Sequence, residues 1–264
     1  MKLFKKSLSV LLAVLLLGCT ALVAFAADGD VTVSMRVEGL TECWFYGNVT
    51  VPANATALDA LKAADAASEA LTLTVTESEY GAYLAAINDL YAGSQTTKGW
   101  DGWMFRVNDV APSVGIDVYE VKADDVIVVY YSDEYGDTGM LYPVADTSKL
   151  AQGKLSFTAT VTEYDEHWVP TQKDVAVTGY TLYWDGEKIT PDENGVATIP
   201  AAKLLGTNHS VQIERYAENG LPTVLRYAPD FTVKVEHTGF AKFLSVFVDL
   251  FAKIRAFFTG LFNK

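Results

Sequence analysis

Apolar and polar residues alternate with period two over Val31-Thr-Val-Ser-Met-Arg-Val37, the pattern of a half-buried strand. Trp44 to Val51 reads as its antiparallel partner, with the turn near Gly39-Leu40-Thr41. Thr56 is placed to cap an alanine-rich helix over 57–64. A strand is predicted over Leu71–Thr76. Tyr80–Leu84 and Ile87–Leu90 fit either state. Trp103–Val107 reads as a strand turning at Asn108-Asp109, followed by strands at Ile116–Val121 and Val126–Tyr131. Mostly strands around one helix, residues 28–142 are predicted to form an α+β domain.

Pro143 to Gly153 is small, polar and irregular, and is read as a boundary. Beyond it, strands are expected at 155–161, 180–184, 195–199, 210–214 and 231–235, with turns at Asp185-Gly186 and Asn194-Gly195. That spacing predicts an all-β sandwich over 154–236. From Phe240 the period becomes 3.6. Phe243, Phe247, Phe251 and Phe258 fall on one side of a helix expected over 239–263. The expected partner of those four phenylalanines is a membrane interface, or another copy of the chain through self-association.

The first residues carry a targeting signal. Lys2, Lys5 and Lys6 precede an apolar run to Val23 and the small-residue site Ala24-Phe-Ala26, the layout of a secretory signal peptide over 1–26. A rival reading takes Leu16-Leu-Gly-Cys19 as a lipoprotein signal, with Cys19 lipidated. Either way the protein is expected outside the cell, secreted or at its surface. Cleavage near Ala26 leaves Cys43 as the one thiol, so no intrachain disulfide can form.

Charge and chemistry narrow the classes further. The net charge of −13 rises in magnitude once the leader's lysines are gone, and such a surface repels phosphate, so nucleic acid is not an expected partner. His167, His209 and His237 lie in separate segments, and no metal or nucleophile signature joins them. A non-catalytic protein with no metal and no required cofactor is therefore expected. Aromatic residues are the stronger signal. Trp100 stands between glycines in Lys98-Gly-Trp-Asp-Gly102. With Trp103, Tyr131 and Tyr135 it forms the candidate ligand-binding set, a flat platform for a large planar molecule. The alternative is that these rings cover the end of the core.

Residues spread over Val31–Tyr131 resemble the transcobalamin-like C-terminal domain, a family shared by vertebrate cobalamin carriers and secreted Gram-positive proteins. The carriers of the resemblance are Val31–Gly39, Thr56–Leu61, Gly102-Trp-Met-Phe105 with Val107-Asn108, and Asp124–Ile127 ending at Tyr130-Tyr131. Phe105 stands where the family has Tyr, and Asp109 where it has Gly. Val177–Gly186 with Thr190–Ile199 resembles a carboxypeptidase-regulatory or Cna-B sandwich. The resemblance implies an α+β domain followed by an all-β sandwich, and with the amphipathic helix read from the period the chain is expected to be mainly β. It also implies cobalamin or another corrinoid as ligand. In the vertebrate carriers this domain closes over the ligand beside a helical barrel, so the resemblance implies half of a binding site. A surface adhesion or stalk protein without a small ligand is the rival function.

Overall fold

A computed structural model describes residues 29–79, 81–133, 139–237 and 239–262. The leader, Cys19 and Tyr135 lie outside the described residues. The chain is mainly β, with several sheets and a C-terminal helix.

β1 (Asp30–Glu38), β2 (Cys43–Pro52), β6 (Gly102–Val107) and β7 (Val126–Ser132) form a sheet in the order β2-β1-β7-β6, with β1 and β7 parallel. α1 (Ala57–Ala67) covers one face of it. Alternation decides which residues meet the helix: Val33, Met35 and Val37 of β1, and Ile127 and Val129 of β7, are buried with Leu58 and Leu61. Thr56 caps α1 as expected. Its Oγ1 accepts from the Asp59 amide at 3.2 Å, and Asp59 Oδ2 accepts from the Thr56 amide at 2.9 Å. A second sheet of β3 (Leu73–Ser78), β4 (Gly81–Ile87) and β5 (Leu90–Tyr91) adds Leu84 and Ile87 to the same core.

One expected strand does not exist. Ile116–Val121 is a turn, held by Val118 and Tyr119 amides donating to the Gly115 carbonyl. Its own carbonyls serve α1 instead: Ile116 accepts from the Leu58 amide and Tyr119 from the Ala57 amide, both at 2.9 Å. The first turn of a helix leaves its amides without internal partners, and this apolar segment supplies them.

The stretch expected to be an irregular boundary is partly ordered into the second unit. β8 (Val144–Asp146) pairs with β9 (Lys154–Tyr164), and Leu150, in a short 3-10 turn, is buried in the second core. β9 also pairs with β10 (Pro170–Ala176) and β13 (Ala197–Thr198). The other sheet runs β12-β11-β14-β15, from β11 (Thr181–Trp184), β12 (Glu187–Ile189), β14 (Asn208–Glu214) and β15 (Thr232–Lys234). Phe157, Tyr180, Leu182, Trp184 and Ile213 fill the space between the sheets. Gly195 is required at its turn: φ is +76°, and a Cβ there would stand 2.1 Å from the Val177 carbonyl oxygen. α2 (Gly239–Phe262) follows.

The first sheet's other face meets the second unit. Val128, Tyr130 and Met104 pack with Met140 and Leu225, while Leu221 packs with Leu90 and Tyr131.

Candidate binding site

The structure separates Trp100, Trp103 and Tyr131, the three aromatic candidates among the described residues. Trp100 is 60% exposed in its loop, with Lys98 Nζ 5.6 Å from the ring centroid. Asp101 shapes that loop by accepting from the amides of Gln95 at 2.7 Å and Thr96 at 3.1 Å, and from the hydroxyls of Thr96 and Tyr131. Burial alone would raise the Asp101 pKa. These donors outweigh it and hold the carboxyl below the usual carboxylate range.

Tyr131 is not part of any surface platform. It is 1% exposed, with its hydroxyl 2.5 Å from Asp101 Oδ2 and 2.7 Å from the Tyr91 carbonyl oxygen. Its place in β7 explains this, since Tyr131 shares its strand face with Ile127 and Val129. Trp103 is half-buried. Its Nε1 donates to the Leu90 carbonyl at 3.1 Å, and its ring meets Tyr131 edge-on at 5.3 Å and Trp44 at 5.8 Å. Trp100, Trp103 and Tyr131 therefore do not share one plane, and Trp100 lines neither of the two concavities that follow.

The first concavity is a groove of about 430 Å³ between β4 and the edge strand β6, inside the usual range of ligand sites. Trp103 and Phe105 form its floor from one face of β6. Tyr83 and Leu84 stand on one wall, with Val114 and Ile116 on the other. Asp117 fixes the spacing of those walls, because its Oδ2 accepts from the Ala82 amide at 2.9 Å. Sequence reasoning missed Tyr83 because its segment fitted either state. Its period-two position in β4 would have marked it as surface.

The second concavity, about 680 Å³, lies between the first sheet and the sandwich. Arg36 and Arg106 are on its floor, and Tyr46, Tyr142, Tyr227 and Phe231 line it. Arg106 lies 3.6 Å over the Tyr142 ring centroid, and Tyr227 stacks on Phe231 at 4.0 Å with 9° between planes. Burial lowers the Arg36 pKa from its ordinary value, and neighbouring Glu38 partly restores it. Glu38, Asp109 and Asp230 lie close to these arginines or rings, so the cleft is mixed in charge. Asp117 is the one charged residue lining the groove, against Arg36, Arg106 and Asp109 in the cleft, which makes the groove the better match to a flat, uncharged ligand face.

Cys43 is not poised as a nucleophile. Burial, aided by the Glu38 charge, pushes its thiol up to about 12, so it is protonated at neutral pH. His209 is buried against Trp184, with rings 4.5 Å apart, and its Nδ1 lies 2.7 Å from Asp185 Oδ2. Among the described residues no group of three or more His, Cys, Asp or Glu is placed to hold a metal ion.

A mainly β protein with an aromatic groove on an α+β unit is the class these observations define. A family model for DUF4430, a domain of unknown function, matches residues 54–133, from the cap of α1 to the end of β7. No curated protein matches the chain. Among solved structures, haptocorrin in complex with Cbi is 22% identical at a TM-score of 0.36, covering 41% of this chain. The chain spans 26% of that haptocorrin chain. A candidate metal-binding protein from Ruminococcus gnavus ATCC 29149 is 11% identical at a TM-score of 0.29, covering 39% of this chain and 96% of its own.

Proposed function

We propose that the protein is a non-catalytic binding protein of the cell exterior, and that cobalamin or another corrinoid seats in the groove between β4 and β6. One observation carries this reading: the groove is floored by Trp103 and Phe105 of the Gly102-Trp-Met-Phe105 motif on which the family resemblance rests, with Tyr83 exposed beside them. An aromatic floor suits a planar macrocycle, and backbone groups at the β6 edge suit its amide arms. The basic start and small-residue cleavage site of the leader support an extracellular location.

A visible-absorbance titration of the mature protein with cyanocobalamin tests the reading. A saturable spectral shift is expected. Tyr83→Ala should weaken binding several-fold without lowering Tm, because aromatic contacts contribute about 0.5–1.5 kcal/mol beyond area burial. No spectral change at millimolar cobalamin would overturn the ligand class. Weakening by Trp100→Ala but not by Tyr83→Ala would move the ligand from the groove to the loop tip.

A further inference from the structure

α2 docks the wrong way round for a helix that completes its own core. Ser245 is 3% exposed, and Asp249 is fastened to the loop before β14: Oδ1 accepts from the Thr207 amide at 3.0 Å and Oδ2 from its hydroxyl at 2.6 Å. The Thr207 hydroxyl also holds the Asp249 carboxyl below its usual range. Successive helical residues are about 100° apart. Ser245 and Asp249 thus share the inner line, while Leu250 and Ile254 follow Val246 along the opposite side, with Phe247 and Phe251 adjacent. That side is open to solvent, Phe251 being 67% exposed and Leu250 50%. The helix rests on the sandwich by its small and polar side and turns its large apolar side outward. The side chains of Phe243 and Phe258 lie outside the described residues.

We infer that this outward side is an in-plane anchor for an anionic lipid surface. The charges choose the occupant. Lys242 and Lys253 border the apolar side on one flank and Arg255 on the other, and Asp249, the lone acid of the helix, is taken up by Thr207. A second copy packing through the same side would bring cationic flanks together, with no acidic partners of the kind that pair helices. An anionic headgroup layer accepts both the apolar side and its basic borders. The acidic body is repelled from such a surface, which leaves the helix as the contacting element. No helix among the described residues is long and apolar enough to cross a membrane, so the mode is lying on the bilayer rather than spanning it.

Vesicle flotation of the full mature chain, with no added ligand, tests this separately from corrinoid binding. With vesicles of phosphatidylcholine and about one-third phosphatidylglycerol the protein should float, and raising salt from 0.1 to about 1 M should reduce the bound fraction. With phosphatidylcholine alone binding should be much weaker. The pair Leu250→Asp and Phe251→Asp should cut the floated fraction about tenfold with Tm unchanged, since both side chains are exposed. Overturning results are a full chain that stays in solution, equal flotation on both lipids, or a lipid-free oligomer that the same two substitutions dissolve.

Discussion

Arg226 closes on Glu38 across the boundary between the two units, 188 residues apart in sequence. Its Nη2 and Nε donate to Glu38 Oε2 at 2.5 and 2.9 Å, and its Nη2 also reaches the Gly39 carbonyl. Arg36 completes the cluster, with Nη1 3.4 Å from Glu38 Oε1 and 2.7 Å from the Arg226 carbonyl oxygen. All three side chains are largely buried.

Removing one partner from such a pair strands the other charge out of water. Arg226→Ala is expected to cost about 3–5 kcal/mol of unfolding free energy by urea titration. Glu38→Gln should cost at least as much as Arg226→Ala, because it leaves Arg36 and Arg226 both buried without a carboxylate, whereas Arg226→Ala leaves Arg36 beside Glu38. A loss below about 1 kcal/mol in Arg226→Ala would mean that water reaches Glu38 freely.

The first unit should fold without the second, but less stably. Its main core draws only on residues up to Val129. A chain cut at Val144 loses Leu221 and Leu225, which pack on Tyr131, Val128 and Tyr130. Each leucine buried contributes roughly 1.5–3 kcal/mol, so a deficit of about 3–6 kcal/mol is expected, with dye binding to the bared face. Circular dichroism typical of an unfolded chain would show that the units depend on one another.

Acid should loosen the Trp100 loop first through Asp101. A carboxylate held low in the folded state stabilises fully above its unfolded pKa of about 3.9, and that contribution is lost as pH falls through the folded value. Wild-type stability should therefore decline below about pH 4. Asp101→Asn should cost about 1–3 kcal/mol at pH 7 and show a shallower decline on acidification. Parallel slopes for the two proteins would assign the acid sensitivity to other carboxylates.

Local pattern carried β1, β2, α1 and α2, because each has a face of one period that any core must bury. Ile116–Val121 misled for a definite reason. Its β-branched and aromatic residues are those of a strand, but its carbonyls accept from the amides of Ala57 and Leu58, a partnership invisible at a distance of about sixty residues. β8 is three residues long, too short to show a period. Tyr131 was legible in principle: counting by twos from Ile127 puts it inside, and its aromatic character drew it wrongly to the surface. The groove was half legible, through Trp103 and Phe105, while the wall bearing Tyr83 needed the β4–β6 juxtaposition. The phenylalanine side of α2 was expected to meet a partner outside its own unit, but what holds that direction was not legible. It depends on Thr207 capturing Asp249, one long-range contact that reverses the usual sense of an amphipathic helix.

That reversal gives the molecule the layout of a surfactant: a bulky, negatively charged head with a greasy edge held outward on a firm hinge of two hydrogen bonds. Such a molecule is surface-active. In dilute solution without vesicles it should gather at air–water and plastic–water boundaries, depleting the bulk and lowering surface tension. The concentration of protein that remains dissolved is then set by the area of the vessel as much as by the amount added.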